Sequence, residues 1–353
     1  MERITVNTTT PYDVIIGKDI LDEAVKAFEN KGNKVVLLWD EAIPSNRIAA
    51  FGNALEALGR DVMAVSLEGG ENAKTLESYE KITKILIDFN LSRSDVLVGI
   101  GGGTVTDLAG FIASTYKRGI DLVQVPTTLL AACDASVGGK NALNIGGTKN
   151  VIGTFYQPSL VLIETDFFNT LSDEVFSEGC AEVIKYAYLG DGELAQLLEN
   201  KSLLENRNDE EFLTYILKRC VEIKAEVVAS DERDNGARNI LNFGHTLGHA
   251  IEAESGYNIH HGQAVAMGMV LITRIAERKG LTEAGTLGRM ISVLTSHGLE
   301  WRCPYNINAL IGYIVNDKKI RGDKITLIIP RKAGECYLEK IEVNKVREWM
   351  TEE

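Results

Sequence analysis

A chain of 353 residues with 45% hydrophobic and 25% charged side chains has an ordinary globular composition and is long for a single core, so we expect two domains. The net charge of −13 argues against nucleic acid or an anionic membrane as a partner, and no stretch resembles a secretion signal or a membrane span. The five cysteines contain no CxxC pair, which argues against a disulfide framework or a thiolate zinc site and favours the cytoplasm.

The first half of the chain predicts an alternation of strands and helices. Short strands at residues 4–6 and 12–16 precede a helix that we expect Asp19 to cap. Five further strand patterns are apolar rather than alternating, which is typical of strands covered on both faces. They occupy residues 34–40, 61–69, 95–102, 121–126 and 159–164, with helical patterns between several of them. This order predicts an α/β domain with a parallel sheet over residues 1–171, which binds ligands beyond the carboxyl ends of its strands.

The second half of the chain has a helical pattern almost throughout. Ser172 is expected to cap the first helix, a long helix covers residues 210–232, and two histidine-bearing helices follow. Near the end, residues 324–330 and 335–343 predict a pair of strands like a β-hairpin. We therefore expect a second, mainly α-helical domain over residues 172–353, packed closely against the first, with the active site in a cleft between them.

Four of the five histidines fall within residues 239–268. His245 and His249 are four residues apart in a helical pattern, so their rings leave the same face of the helix. His260 and His261 open the next helical pattern. Imidazoles on two adjoining helices, with a carboxylate from elsewhere, are typical of a catalytic zinc site that keeps one coordination position open. The alternative is a set of capping and core histidines.

Two carboxylates compete for the third ligand position. Glu182 and Lys185 share one helix face, a spacing that is also common in structural ion pairs. Glu182 is the best-placed candidate and Glu252, one turn beyond His249 on the first histidine helix, is the rival, so residue spacing leaves the choice of carboxylate open. Further polar groups near this region, unless they are solvated surface side chains, are Lys224, Arg238 and Asn242.

Glycine-rich turns in the first domain predict anion binding. Gly101 to Gly103 follow a strand and precede a helix, so their backbone N–H groups could approach a pyrophosphate, although a plain tight turn is the alternative. Asp40 and residues 70–74 lie where a nucleotide ribose could be held, although a strand-end aspartate is often only a helix cap. Residues 125–150 carry threonines, lysines and a glycine pair, which suit phosphate or carboxylate recognition unless this segment is a solvated loop.

Seven motifs carry a resemblance to a known family. In chain order they are GGGTVTDLAGFIASTYKRG, VPTTLLAACDASVGGK, KNVIGTFYQP, EGCAEVIKYA, LNFGHTLGHAIE, HGQAVAMGM and DKK. With them the chain resembles the 3-dehydroquinate synthase family, of the sugar phosphate cyclases, over essentially its whole length. The resemblance implies a Rossmann-like N-terminal domain, a mainly α-helical metal-binding C-terminal domain, bound NAD, a divalent metal that is usually zinc with cobalt as the alternative, and a homodimer.

The resemblance also implies a role for particular residues. The metal ligands would be Glu182, His245 and His261, and His249 would face the substrate phosphate. NAD would be held by Asp40, Glu71, Lys74, Gly102, Gly103, Asp107, Thr127, Thr128, Asp134 and Lys149. Substrate would contact Lys140, Asn150, Lys185, Lys224, Arg238, Asn242, His249, one of Lys318 and Lys319, and Arg118, which in some members comes from the neighbouring subunit. The chain departs from the family pattern at Ala135, Asp234 and Gln263, which leaves these groups in place.

The reaction that the resemblance implies converts a sugar phosphate, 3-deoxy-D-arabino-heptulosonate 7-phosphate, to 3-dehydroquinate and phosphate in the shikimate pathway. It proceeds by transient oxidation by NAD, elimination of phosphate, reduction and aldol cyclisation, which makes the enzyme a lyase. Three alternatives are another cyclase such as 2-deoxy-scyllo-inosose synthase, a metal-dependent polyol dehydrogenase of the glycerol dehydrogenase type, and a non-enzymatic nucleotide-binding protein. Against the other cyclase, a carboxylate-bearing substrate is favoured by the presence together of Lys140, Asn150, Lys224, Arg238 and Asn242.

Overall fold

The computed structural model describes residues 1–146, 148–315 and 323–351. The chain forms two compact units. The first, called here the sheet unit, comprises Met1–Thr170 and Glu210–Arg233, and the second, the helical unit, comprises Leu171–Asp209 and Asp234–Glu353. The units therefore divide the chain after residues 170, 209 and 233, whereas the predicted domain boundary between residues 171 and 172 is a single cut and stays a prediction.

Strands and helices are numbered in chain order. The strands are β1 Glu2–Val6, β2 Tyr12–Gly17, β3 Lys34–Asp40, β4 Asp61–Leu67, β5 Val96–Gly101, β6 Asp121–Pro126, β7 Lys140–Ile145, β8 Thr148–Phe155, β9 Leu160–Glu164, β10 Lys324–Lys332 and β11 Glu335–Glu342. The helices are α1 Leu21–Lys26, α2 Ser45–Ala57, α3 Leu76–Asp88, α4 Gly103–Thr115, α5 Asp173–Gly190, α6 Gly192–Asn200, α7 Glu210–Ser230, α8 His245–Glu254, α9 His261–Arg278, α10 Thr286–Ser296, α11 Ile307–Val315 and α12 Val346–Thr351. Short turns of 3₁₀ helix include Glu71–Ala73, Tyr116–Arg118 and Ala237–Asn242, and Ala131–Ala135 is a π-helical turn.

Seven strands of the sheet unit form one sheet in the order β1-β2-β9-β6-β5-β3-β4. β1 pairs antiparallel with β2, and the other neighbouring strands are parallel. Along β3, Val35 and Leu37 belong to one buried cluster, whereas Val36 and Leu38 belong to another on the opposite face. Burial on both faces explains why this strand is apolar throughout, and the predicted parallel α/β sheet is confirmed.

The carboxyl ends of three strands place the residues predicted to bind a nucleotide. β3 has β4 on one side and β5 on the other, so the strand order reverses there. Open α/β sheets bind ligands beyond the carboxyl ends of the strands at such a reversal. β3 ends at Asp40, β5 at Gly101 and β6 at Pro126. Asp40, the glycine turn after β5 and the threonines after β6 therefore begin at one edge of the sheet.

The segment that follows β6 is more regular than the sequence predicts. After the π-helical turn, β7 and β8 form an antiparallel hairpin in which Lys140 pairs with Phe155 and Leu143 with Ile152. Leu143 is fully buried, and Gly139 has a positive φ of 70°. The hairpin was not predicted because its second strand is mostly exposed and carries no alternating apolar pattern.

The expected cap of the first helix is wrong. α1 begins at Leu21, its N-cap is Ile20, and Asp19 has a φ of 53°, which is outside the usual N-cap region. The carboxylate of Glu164 instead accepts the backbone N–H groups of Asp19 and Ile20, at 3.1 and 2.9 Å. A tertiary contact with the end of β9 thus takes the place of a local cap.

The helical unit combines α5, α6 and α8 to α12 with the hairpin of β10 and β11. The side chain of Ser172 accepts the N–H of Val175 at 3.3 Å, which confirms the predicted cap of α5. β10 pairs antiparallel with β11, so the predicted hairpin and the mainly helical character of this half of the chain are confirmed. Within the described ranges, no helix has both the length and the apolar character needed to cross a membrane.

Candidate functional site

Glycines bring three helices of the helical unit into close contact. A Cβ atom on Gly268 of α9 would lie 2.1 Å from the carbonyl oxygen of Gly244, and one on Gly248 of α8 would lie 3.2 Å from the backbone of α9. A Cβ atom on Gly262 would lie 2.4 Å from the carbonyl oxygen of Glu178 on α5. The closest of these distances exclude a side chain, so α5, α8 and α9 reach this separation because the contact positions are glycine.

Glu182 on α5 and the first residues of α8 and α9, His245 and His261, converge at one point. The Nε2 atoms of His245 and His261 lie 3.5 and 3.4 Å from the same oxygen of Glu182, Oε1. Glu182 is fully buried, and its Oε2 is 2.5 Å from the Nζ of Lys185. The candidate ligand atoms of the three residues all lie within 4.8 Å of one another, a spacing that one metal ion can bridge.

The other ring nitrogen of each histidine faces an oxygen atom. Nδ1 of His245 is 3.1 Å from the carbonyl oxygen of Phe243, and Nδ1 of His261 is 3.2 Å from Oε2 of Glu252. An imidazole whose Nδ1–H donates to such an acceptor presents the Nε2 lone pair on its opposite side. Both rings therefore direct the nitrogen suited to a metal toward Glu182.

The charge balance at this point also suits a cation. Burial lowers the pKa of His261, but the carboxylates of Glu182 and Glu252 outweigh burial and raise it to about 10. A position that favours an extra proton so strongly is a position that favours positive charge. Two imidazoles and one carboxylate are a ligand set of catalytic zinc sites, and the same set accepts cobalt. The residues present therefore fit a divalent metal.

A second group of candidate ligands overlaps the first. His249, Glu252 and His261 also offer ligand atoms within 4.8 Å of one another. The rings of His249 and His261 are stacked, with their centroids 6.0 Å apart. The alternative that residue spacing left open, Glu182 or Glu252, is thus also visible in three dimensions, and the two groups share His261.

Other predicted residues of the helical unit lie close to this point in the chain. Arg238 and Asn242 are in the 3₁₀ turn before α8, where Arg238 is 2% exposed and Asn242 is half-buried. His260, although adjacent to His261, contacts a different residue: its Nδ1 lies 2.5 Å from Oε1 of Glu178, and its side chain is 56% exposed. The predicted residues Lys318 and Lys319 lie outside the described residues.

In the sheet unit, glycine backbone lies close against side chains at the ends of β3 and β5. A Cβ atom on Gly69 would lie 2.4 Å from the carboxylate of Asp40, and one on Gly102 would lie 3.2 Å from the side chain of Thr128. Gly102 is the N-cap of α4 and supplies no side-chain cap. An uncapped helix N-terminus beside bare backbone can take a phosphate, so these residues fit the pyrophosphate of a dinucleotide.

Lys74 contacts two other predicted residues of the sheet unit. It is 3% exposed, its Nζ donates to Oδ1 of Asn150 at 2.6 Å, and it forms an ion pair with the carboxylate of Asp107. Burial raises the pKa of Asp107, and Lys74 opposes that rise. Asn150 has a φ of 52°, in the left-handed region that few side chains adopt and that is frequent at functional sites.

A second buried cation meets the π-helical turn. Lys224 on α7 is 4% exposed, donates to the carbonyl oxygen of Asp134 at 2.6 Å and forms an ion pair with the carboxylate of the same residue. π-helical turns are frequent at functional sites. Here one of them places a predicted NAD-binding residue, Asp134, against a predicted substrate-binding residue, Lys224.

Sequence reasoning missed Asn144 on β7. Its side-chain amide donates to Oε1 of Glu71 at 2.7 Å, and its Oδ1 accepts the backbone N–H of Asn150 at 2.9 Å. The signal was weak, because a half-buried asparagine in an unpredicted hairpin looks like one more polar residue of a loop. Its position between two predicted residues is visible only in the fold.

The remaining predicted residues of the sheet unit have varied surroundings. Thr127 follows β6 and is buried, Lys149 on β8 is half-buried, and Lys140 at the start of β7 is exposed. Arg118 is also exposed and has a φ of 66°, an unusual conformation for an arginine. Each unit therefore holds its own group of predicted residues. The helical unit holds the candidate metal ligands, and the sheet unit holds most of the residues predicted to bind NAD and anionic groups.

Comparisons of the sequence agree on one family. Two family models, described as 3-dehydroquinate synthase N-terminal and 3-dehydroquinate synthase C-terminal, match residues 64–178 and 179–320. A 3-dehydroquinate synthase from Streptococcus suis is 38% identical, over 99% of this chain and 99% of its own length. Another from Clostridium perfringens is 42% identical, over 93% of this chain and 94% of its own length.

Solved structures share the fold. A 2-epi-5-epi-valiolone synthase from Streptomyces hygroscopicus, solved with NAD⁺ and Zn²⁺ bound, is 26% identical with a TM-score of 0.88, covering 96% of this chain and 95% of its own. A 2-deoxy-scyllo-inosose synthase, solved with carbaglucose-6-phosphate, NAD⁺ and Co²⁺, is 24% identical with a TM-score of 0.84, covering 99% of this chain and 100% of its own. These likenesses confirm the predicted combination of a Rossmann-like sheet with a helical C-terminal part.

Proposed function

The chain belongs to the 3-dehydroquinate synthase family, and on this premise we propose that it converts 3-deoxy-D-arabino-heptulosonate 7-phosphate to 3-dehydroquinate and phosphate. The structural observation that carries the proposal is the convergence of Glu182, His245 and His261 in the helical unit. A cyclase needs a set of metal ligands of this kind, whereas a simple nucleotide-binding protein would have no use for it.

We propose that Glu182, His245 and His261 hold a divalent metal, zinc or cobalt. Bound there, such a metal supplies a Lewis acid for the hydroxyl groups of the substrate. Lys185 forms an ion pair with the buried Glu182 at 2.5 Å, which holds this carboxylate in place. His249, on the same face of α8 as His245, has a ring centroid 5.5 Å from that of His245, where it can orient the substrate phosphate.

The sheet unit is proposed to bind NAD, which when bound would supply reversible hydride transfer. Asp40 and Glu71 would hold ribose hydroxyls, and the backbone around Gly102 and Gly103 would take the pyrophosphate. The remaining residues proposed to contact NAD are Lys74, Asp107, Thr127, Thr128, Asp134 and Lys149. Support comes from the position of Asp40 and Gly102 at the strand-order reversal and from the uncapped N-terminus of α4.

The substrate carries a phosphate and a carboxylate, and the chain offers cations and amides for both. The residues proposed to contact it are Lys140, Asn150, Lys185, Lys224, Arg238, Asn242, His249 and Arg118, with one of Lys318 and Lys319. In the proposed sequence the substrate is oxidised, loses phosphate, is reduced and closes by an aldol reaction. Because the leaving phosphate can take the proton lost in elimination, no protein base is assigned to that step.

The test is an assay of purified protein with the heptulosonate phosphate, a divalent metal and an amount of NAD well below that of the substrate. Both phosphate release and 3-dehydroquinate formation are followed. Many turnovers per NAD without accumulation of NADH are expected. Stoichiometric NADH would instead indicate a polyol dehydrogenase. Turnover of glucose 6-phosphate but not of the heptulosonate phosphate would indicate a 2-deoxy-scyllo-inosose synthase.

The metal is tested separately from the activity. Protein stripped by a chelator and dialysed against Zn²⁺ or Co²⁺ is expected to retain about one ion per chain. We also infer a cytoplasmic homodimer, which the family resemblance supports. Light scattering of purified protein is expected to give twice the chain mass of 38.7 kDa, and a mass equal to one chain would contradict the dimer.

A further inference from the structure

Glu252 is a buried carboxylate for which the proposed reaction has no role. It lies near the end of α8, is 4% exposed, and places its Oε2 atom 3.2 Å from Nδ1 of His261. A carboxylate is costly to bury unless it has charged or hydrogen-bonding partners, so its contact with His261 indicates what the position is used for.

His261 cannot serve both candidate metal groups at once. Its Nε2 lies 3.4 Å from Glu182 and its Nδ1 lies 3.2 Å from Glu252, on opposite sides of the ring. A neutral imidazole has one nitrogen that donates and one that can bind a metal. One carboxylate therefore shares the metal with this ring, and the other accepts its N–H.

His245 distinguishes the two carboxylates. Its Nδ1 is 3.1 Å from the carbonyl oxygen of Phe243, an acceptor that fixes the hydrogen on Nδ1. Its Nε2 then faces Glu182 at 3.5 Å. A site built on Glu182 lets both histidines bind through Nε2, each with an oxygen behind its Nδ1, whereas a site built on Glu252 leaves His245 outside.

We infer that Glu252 is a positioning residue that accepts the Nδ1–H of His261 and so fixes the orientation and the tautomer in which this ring binds the metal. The inference rests on the proposed metal site. It assigns the two carboxylates different tasks: Glu182 binds the ion, and Glu252 acts through His261.

The experiment compares the full-length variants Glu252→Gln, Glu252→Ala and Glu182→Gln with the unmodified protein. Zn²⁺ affinity is measured by competition with a chelator, and the visible absorption of the Co²⁺ form reports the coordination. Glu252→Gln is expected to weaken metal binding about 10- to 100-fold while keeping one ion per chain at saturation and the same Co²⁺ bands. Glu182→Gln is expected to lose the ion or change those bands.

Glu254→Gln is the matched control, because it removes the same charge from α8 at a side chain whose hydrogen-bonding partner is Tyr313. It should bind Zn²⁺ as the unmodified protein does. Glu252→Gln preserves the shape of the side chain, so it tests the inference even if Glu252→Ala does not fold.

Two outcomes would overturn the inference. Unchanged affinity in both Glu252 variants would show that the contact has no role, and loss of the ion in Glu252→Gln with retention in Glu182→Gln would make Glu252 the ligand. If the unmodified protein binds no Zn²⁺ at this site, the proposed metal site itself is wrong, which is a distinguishable failure.

A separate observation in the sheet unit carries a second inference. Asn144 makes several hydrogen bonds within the group of predicted residues. Its backbone N–H donates to the carbonyl oxygen of Lys74 at 2.9 Å, and its side-chain amide donates to Oε1 of Glu71 at 2.7 Å. Its Oδ1 accepts the backbone N–H of Asn150 at 2.9 Å. One side chain thus contacts both a predicted NAD-binding residue and a predicted substrate-binding residue.

Asn150 depends on such support because its backbone is in the left-handed region, with a φ of 52°. Asparagine tolerates this conformation better than most residues, but an ordered partner is needed to hold it. Asn144 fixes its backbone N–H, and Lys74 fixes its side-chain oxygen at 2.6 Å.

We propose that Asn144 is a positioning residue that holds Glu71 for NAD and Asn150 for the substrate. This proposal also rests on the proposed function. The side-chain amide makes two contacts, one through its N–H group and one through its oxygen, and two variants distinguish them. Asn144→Asp keeps the oxygen that accepts from Asn150 and replaces the donor to Glu71 with a second carboxylate oxygen. Asn144→Ala removes both the donor and the acceptor.

The experiment measures NAD affinity by titration and the KM and kcat for the heptulosonate phosphate. Asn144→Asp is expected to weaken NAD binding about 10-fold, because two carboxylates then face each other, with a smaller change in substrate KM. Asn144→Ala is expected to raise the substrate KM about 10-fold as well. Thr148→Ala, at an exposed position on the same hairpin, is the matched control and should change neither value.

The split between the two variants is the signature of positioning. A purely structural role predicts that both variants lose stability equally and that NAD affinity, KM and kcat change equally in both. That result would overturn the proposal, and so would unchanged constants in both variants. If the unmodified protein itself shows no NAD binding, the proposed function fails instead, and that result is distinct from any difference between the variants.

Discussion

The candidate metal site and the candidate nucleotide site are built in opposite ways. Glu182, His245 and Glu252 are buried on helices that glycines hold in close contact. Asp40 is half-buried at a strand end, and Asn150 is exposed on a hairpin with a positive φ. A metal ion requires ligand atoms at fixed distances, whereas a dinucleotide is bound by many weaker contacts along its length. Close helix packing is therefore found at the site whose ligand would be a single ion.

The largest effect is expected when a candidate metal ligand is removed. His261→Ala removes one of two imidazoles that face Glu182, so bound zinc should be lost and kcat/KM should fall on the order of 10³-fold or more. Zinc content and turnover are the measurements. His260→Ala is the matched control, since its ring contacts Glu178 at the surface, and it should retain both. Normal zinc content in His261→Ala would contradict the ligand assignment.

The second effect concerns the sheet unit. Lys74→Met keeps the length of the side chain but removes the cation that Asp107 and Asn150 share. The KM for NAD and for the substrate should each rise about 10- to 100-fold, because hydrogen bonds to a charged group are lost. Steady-state kinetics measure this change. Lys84→Met, which removes an exposed lysine paired with Glu80, should leave both KM values unchanged, and equal effects in the two variants would refute a specific role for Lys74.

The third effect tests whether glycine packing gives the metal site its rigidity. In Gly268→Ala the new methyl group meets the carbonyl oxygen of Gly244, so the free energy of unfolding should fall by about 1–3 kcal/mol and zinc affinity should fall with it. Gly288→Ala is the control, because nothing lies within 4 Å of its Cβ position on α10, and it should be neutral or stabilising by up to about 1 kcal/mol. Denaturant unfolding and chelator competition measure the two quantities. Equal behaviour of the two variants would contradict the packing argument.

The smallest effect separates a buried structural histidine from the histidines of the site. Burial lowers the pKa of His297 below its ordinary value of 6.5, and its neutral Nε2 accepts the N–H of Leu203 at 2.9 Å. Because the unfolded chain binds the proton more readily, this contribution is complete above pH 6.5 and is lost as the pH falls from 6.5 toward the folded pKa, by at most about 1.4 kcal/mol per pH unit. Unfolding free energies between about pH 5 and 8 measure it, with His297→Gln expected to have a flatter profile.

Much of the fold could be predicted because hydrophobic patterns report local backbone geometry. The apolar run of β3 follows from burial on both faces of a sheet, and the placement of His245 and His249 on one helix face follows from helical periodicity. The predicted cap at Ser172 was confirmed for the same reason, since a cap involves residues only three apart.

Contacts between distant segments could not be predicted in this way. Asp19 looked like a cap, but the carboxylate of Glu164 on a neighbouring strand accepts its N–H instead. The hairpin of β7 and β8 has little apolar alternation, so neither it nor the position of Asn144 followed from the pattern.

The alternation of strands and helices, the helical second half and, through the motifs, membership of the family all follow from the sequence alone, because each depends on the local order of residues. Which oxygen faces which ring nitrogen of His261 depends instead on the three-dimensional packing. Spacing makes Glu182 the best-placed carboxylate but leaves Glu252 as its rival, and the arrangement around His261 depends on how closely α5, α8 and α9 approach. That approach is fixed by glycine contacts between residues far apart in the chain, and packing of this kind leaves no periodic trace in the sequence.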